Sequence, residues 1–246
     1  MEEHYIVQVQ SQVQGLVDDL KAVFTHAGLA GEAAEYKLLT QSFLYKFLND
    51  KFLYEALNID ESYDYQGLLN LSEEDYDWFL DDIGTKTAHL KPEQLIESLH
   101  RQQNQADFAE IFEQTLNQIA IDNNAIFSVH TDGGTDIRLF DQRLITDTIS
   151  DASKRNEVAA SIINLLARVK FDQQIFSQGF DFFSTLFEYM IKDYNKDGGG
   201  KYAEYYTPHS VAKIIAAILV GNDQPSNIKI YDPSAGSGTL LMNLAS

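Results

Sequence analysis

Apolar side chains recur three and four residues apart through the first two-thirds of the chain. Ile6, Val9, Val13, Leu16, Val17, Leu20, Val23 and Phe24 trace one stripe of a helix, and Gly28 stands where that helix should end. Leu38, Leu39, Phe43, Leu44, Phe47, Leu48, Phe52, Leu53 and Leu57 form a second stripe, broad enough to predict a helix at the centre of a bundle. Ser72 with Asp75 three residues on resembles a capping box, with Asp in place of the usual Glu or Gln, and Trp78, Phe79 and Ile83 are expected to be the buried side of the helix it starts. Pro92 suits a first helical turn, and Phe108, Ile111, Phe112, Leu116 and Ile119 give another stripe. Asn123-Asn124 and Asp132-Gly133-Gly134 mark turns between residues 123 and 135. Val158, Ile162, Leu165, Leu166 and Val169 complete a last helical face. No segment alternates with a period of two, so residues 1–170 are predicted to form an α-helical N-terminal domain.

The texture changes at about residue 171. Phe180 to Tyr194 is an aromatic-rich helical run that ends at Asp197-Gly198-Gly199-Gly200, a break in regular structure. Thr207 as N-cap with Pro208 at the first helical position opens a helix carrying Val211, Ile214, Ile215, Ile218 and Leu219, and Gly221 is placed to stop it. Ile228 to Tyr231 reads as a short buried strand. It leads through Asp232-Pro233-Ser234-Ala235-Gly236-Ser237-Gly238-Thr239 into a helix begun by Leu240, Leu241 and Leu244. Strand, glycine turn and helix are the opening unit of a doubly wound sheet, so residues 171–246 are predicted to be the incomplete start of an α/β Rossmann-like domain.

Composition narrows the class. The 246 residues are 44% hydrophobic with only 14 Gly and 4 Pro, which excludes collagen-like and low-complexity chains. Cys is absent, so disulfides, thiolate metal sites and cysteine nucleophiles are excluded. The longest apolar run, Ile214 to Val220, is too short for a membrane span, and Met-Glu-Glu-His is not a secretory start; a cytoplasmic protein with no membrane partner is expected. The net charge is −19, and Glu55 to Asp82 holds ten carboxylates and no Lys or Arg. Such a surface repels phosphate, so DNA binding is expected to need a basic partner. The six His residues (4, 26, 89, 100, 130 and 209) show no ligand spacing, and no metal site is expected.

The candidate chemistry lies in the glycine turn. Gly236 and Gly238 allow close approach of backbone to ligand, while Asp232 disfavours a bare phosphate and suits an ammonium or a ribose. No Lys follows Gly238, which excludes a phosphate-binding loop of the Walker type, and Leu241 replaces the third glycine of the dinucleotide fingerprint. A hydrolase elbow at Ser234 fails because Asp232 replaces its leading Gly and too little chain follows for its acid and His.

Tyr205-Tyr206-Thr207-Pro208, followed after a helix by Asp232-Pro233-Ser234-Ala235-Gly236-Ser237-Gly238, resembles the paired S-adenosylmethionine (AdoMet) motifs of N6-adenine DNA methyltransferases. A helical domain of this size before the motifs is similar to the modification subunit of type I restriction-modification systems. The resemblance implies that Glu204, Tyr205, Tyr206, Thr207, Pro208 and His209 form one wall of an AdoMet site. It assigns the other wall to Asp232, Ser234, Ala235, Gly236, Ser237, Gly238 and Thr239, with Thr207 near the methionine carboxylate and Asp232 near its ammonium. Ala203 and Tyr205 stand where the family commonly has Gly and Phe. The family's Asn-Pro-Pro-aromatic segment, which holds the flipped adenine, is absent, so no catalytic residue is assigned and the chain reads as an N-terminal fragment inactive by itself. The implied function is methyl transfer from AdoMet to adenine N6 in DNA. The implied partners are a specificity subunit that carries the DNA contacts, a second modification subunit and a restriction subunit. A non-catalytic helical docking module, or an AdoMet methyltransferase acting on RNA or protein, remain as alternatives.

Overall fold

The computed structural model describes residues 2–31, 33–127, 139–171, 173–177, 189, 207, 209–221, 229–233, 240–241 and 244. The chain divides into two compact units, Met1–Phe180 and Asp181–Ser246.

The first unit is helical throughout its described residues. Helix α1 (Glu2–His26) is followed by α2 (Ala33–Ile59), α3 (Tyr65–Asn70) and α4 (Glu73–Ile83). A 3₁₀ turn over Pro92–Gln94 leads to α5 (Ile96–Gln102), α6 (Phe108–Asp122) and the single-turn α7 (Asn124–Phe127). Then come α8 (Leu144–Thr148), α9 (Ala152–Arg168) and α10 (Gln173–Ser177). Two helices organise the packing: α2 touches α1, α4, α8, α9 and α10, while α9 also meets α1, α5, α6 and α8. The central place expected of the second stripe is therefore observed.

Local chemistry explains the element ends. After α1, Gly28 adopts φ +91°, Leu29 N–H donates to Phe24 O at 2.9 Å and Gly28 N–H to Thr25 O at 3.0 Å. This is the Schellman closure, and its left-handed residue favours glycine. Ser72 caps α4 by accepting from the Asp75 N–H at 3.2 Å. Asp75 is one methylene shorter than Glu; its carboxylate accepts from the Ser72 hydroxyl at 2.6 Å and does not return to the Ser72 N–H, so only half a capping box forms. Pro92 takes the first position of the 3₁₀ turn, where a missing N–H costs nothing.

The core is aromatic and aliphatic. Phe24, Phe43, Tyr45, Phe52, Phe79, Phe108, Phe112 and Phe140 are all fully buried. Edge contacts join Tyr45 to Phe112 at 6.2 Å and Phe52 to Phe79 at 5.8 Å between centroids, the geometry preferred by ring quadrupoles. Buried and half-buried polar groups tie the helices together. Asn123 accepts from the His89 N–H at 2.6 Å and donates to the carbonyls of His89 and Ile119. Asn156, on α9, accepts from the Ala109 N–H at 2.8 Å and so satisfies a first-turn donor of α6.

Two expectations for this unit need correction. Trp78 is 67% exposed, and Tyr76 joins Phe79 and Ile83 on the buried face of α4. At ~100° per residue positions 76, 79 and 83 cluster, while 78 falls on the opposite side. Residues 124–127, read as part of a turn, form a helical turn instead, because the Asn123 carbonyl accepts from both Ile126 and Phe127 N–H groups. The rest of that stretch, 128–135, lies outside the described residues.

In the second unit, helix α11 runs over His209–Val220. Gly221 ends it with φ +62°, its N–H donating to Ala217 O at 3.0 Å. The packed side of α11 is Ala212 and Ala216, whereas Val211, Ile214, Ile218 and Leu219 are exposed. Leu240, Leu241 and Leu244 have helical backbone, as their spacing predicts. The expected buried strand is not observed: Lys229, Ile230 and Tyr231 have no strand pairing, and Tyr231 is 87% exposed. A strand exists only through its ladder to a neighbour, and no strand occurs among the described residues. The expected helix over 180–194 lies outside the described residues except at Tyr189, which is helical.

Candidate functional site

The two segments singled out in the sequence flank α11. Thr207 sits half-buried and non-helical, two residues before the first helical residue, His209. A helix of twelve residues leaves its first N–H groups without intrahelical acceptors, so this end presents donors and a partial positive charge. The second segment follows the helix. Asp232 is half-buried, irregular in backbone, and followed by a turn at Pro233. Its carboxylate directly succeeds the exposed Ile230-Tyr231 pair, so the one charged group of this stretch beyond Lys229 is the less accessible one.

The remaining site candidates, Glu204, Tyr205, Tyr206, Pro208, Ser234, Ala235, Gly236, Ser237, Gly238 and Thr239, lie outside the described residues, as does the side chain of His209. A hydroxyl at a helix mouth and a half-buried carboxylate are complementary to the two charged ends of an amino acid: N–H and O–H donors for a carboxylate, an anion for an ammonium. No group of three or more His, Cys, Asp or Glu side chains able to hold a metal occurs among the described residues. No described helix is long and apolar enough to cross a membrane.

Residues 178–246, which contain both segments, match the family described as N-6 DNA Methylase. The chain is also similar to methylase and methyltransferase subunits of type I restriction systems. It is 30% identical over 64 residues to the type I restriction enzyme MpnII methylase subunit of Mycoplasma pneumoniae, a stretch covering 26% of this chain and 12% of that subunit. Among solved structures it resembles the type I restriction-modification system methyltransferase subunit of Streptococcus thermophilus, with a TM-score of 0.62 and 22% identity, covering 97% of this chain and 49% of that one. The chain therefore spans about half of the solved subunit and a smaller share of the curated one. The resemblance read from the paired motifs is upheld by these matches, and the solved subunit defines the fold.

Proposed function

We propose that the chain is part of a site-specific DNA adenine-N6 methyltransferase of a type I restriction-modification system that uses AdoMet. The observation that carries this reading is the match of residues 178–246 to the N-6 DNA methylase family, a span that includes both motifs in the expected order. AdoMet would supply an electrophilic methyl group on a sulfonium. In this reading the Thr207 hydroxyl and the first N–H groups of α11 hold the methionine carboxylate, and Asp232 holds the ammonium. Glu204 to His209 form one wall, and Ser234 to Thr239 let the backbone approach the nucleoside from the other. Residues 1–170 serve as a helical N-terminal domain and 171–246 begin an α/β methyltransferase domain. Base recognition falls to a specificity subunit working with a second modification subunit and, for cleavage, a restriction subunit, all in the cytoplasm.

The test is N6-methyladenine, measured by mass spectrometry in duplex DNA after incubation with AdoMet. The chain alone, which has no Asn-Pro-Pro-aromatic segment, is expected to give none. The complex of the complete subunit with its specificity subunit is expected to methylate, and Asp232→Ala to lower kcat/KM by about 10- to 100-fold, the worth of one lost charge-assisted bond. Methylation of RNA or protein in place of DNA, or an Asp232→Ala complex of unchanged activity, would overturn the reading.

A further inference from the structure

The helical unit carries a half-open cavity of about 520 Å³ between α2, α3, α5 and the segment after α9. That volume lies in the range of small-molecule sites, which are mostly apolar with a few converging polar groups. Its walls include Leu53, Leu57, Leu95 and Ile96, and the rings of Tyr54, Tyr65 and Phe171.

Three cations line the cavity in a chain whose net charge is −19: Lys46, Arg101 and Lys170. Three carboxylates line it too, and each is already committed. Asp50 Oδ1 accepts from Lys46 Nζ at 3.0 Å and Asn49 Nδ2 at 2.8 Å, and its Oδ2, 2.9 Å from Lys46 Nζ, accepts from the Phe171 N–H at 3.2 Å. Asp64 caps α3 through the Gly67 N–H at 2.8 Å, and Glu97 pairs with Arg101 at 3.1 Å. The two lysines are less fully matched. Lys46 is only 3% exposed, and its three N–H donors meet one carboxylate and, 5.4 Å away, the Phe171 ring. Lys170 is exposed and has no hydrogen bond or ion pair among the described residues. Burial pushes the Lys46 ammonium down, Asp50 pulls it up, and the charge of Lys170 lowers it a little further.

We propose that this cavity binds a small aromatic anion, its carboxylate or phosphate head against Lys46 and Lys170 and its ring among Tyr54, Tyr65 and Phe171. A second negative group would relieve the repulsion between the two lysines and take the donor Lys46 has to spare. The inference stands apart from the methyltransferase reading, since every residue it uses belongs to the first unit.

Calorimetric titration of the full chain with phenyl phosphate and with benzoate, with benzyl alcohol as the neutral control, tests it. At least one anion is expected to bind and the alcohol to bind at least about tenfold more weakly, one charge-assisted contact being worth about that ratio. The tighter anion identifies the head group as phosphate monoester or carboxylate. Lys170→Gln, an exposed change that should leave the melting temperature in place, is expected to weaken anion binding about tenfold. In an amide NMR titration the Phe171 and Ile96 signals should move on binding. Absence of binding by both anions, equal binding of the alcohol, or unchanged affinity in Lys170→Gln would overturn the proposal.

Discussion

Lys46 and Asp50 sit four residues apart on α2, 3% and 9% exposed, on a buried face that is mostly Leu, Phe and Tyr but also holds Ser42 and Asn49. Such a pair gains little over an apolar replacement of both members, but removing one member strands the other. Asp50→Ala would leave a buried ammonium with no counter-ion and would free the Asn49 amide and the Phe171 N–H; it should cost about 3–5 kcal/mol in urea denaturation. A loss below about 1 kcal/mol, as for a solvent-screened pair, would show that the ammonium escapes to water. Two buried phenols set the alkaline limit of stability. Burial raises Tyr45 well above its ordinary 10.0, and burial with the nearby Glu93 charge raises Tyr76; each hydroxyl donates to a carbonyl, Gln94 O and Leu90 O. Above pH 10 the unfolded tyrosines release protons that the native ones keep, so stability falls as pH rises. Lys46 acts oppositely, because its lowered native value makes stability rise with pH, but that gain is complete above its ordinary 10.5. The urea midpoint should therefore drop as pH rises above 10.5, where the Lys46 gain is complete and the tyrosines act unopposed, and drop less in Tyr76→Phe. Equal drops in the two proteins would remove Tyr76 from the account.

At the scale of elements, legibility followed length. Stripes of eight or nine apolar residues located α1 and α2, and five sufficed for α6 and α9, because the 3.6-residue period is overdetermined there. Helices α3, α8 and α10, of 6, 5 and 5 residues, complete too few turns to show a period, and none was read from the sequence. The face of α4 was misjudged for a different reason: three aromatics within four residues, Tyr76, Trp78 and Phe79, leave hydrophobicity alone unable to choose, and only the angular spacing to Ile83 decides. Substitution makes the choice measurable. Phe79→Ala should cost about 3–5 kcal/mol by emptying a site shared with Phe52, Tyr63 and Tyr76. Trp78→Ser, on the solvent side, should stay within about 0.5 kcal/mol. The reverse order of effects in urea denaturation would contradict the packing of α4 on α2. The segment at 229–231 marks a limit of local reading, since two apolar residues and a lysine have strand propensity, yet pairing is a property of neighbours far away in sequence.

For the whole molecule, charge and motif speak to different questions. The candidate cofactor site was legible because glycine turns, a helix cap and a carboxylate are local features whose spacing survives without knowledge of the fold. The cavity at Lys46 was not, because it joins residues 46, 101 and 170 from three separate elements, and only tertiary packing brings them together. Net charge operates over still longer range. With 18 basic and 37 acidic residues, the chain would bring few compensating contacts to a polyanion, while each phosphate contact a DNA-binding protein makes adds about 0.9 to its logarithmic salt slope. Ten carboxylates between Glu55 and Asp82, several on the exposed side of α4 beside Trp78, add local repulsion. The chain by itself should therefore leave a 30-base-pair duplex unshifted in a gel assay at about 0.15 M salt, where the screening length is ~8 Å. If it belongs to an assembly of the type proposed, addition of a basic sequence-reading subunit should produce a shift that weakens steeply with salt. Retardation of the duplex by the chain alone, weakening steeply as salt is raised, would mean that a basic surface exists despite the composition, and that DNA contact need not be delegated to a partner.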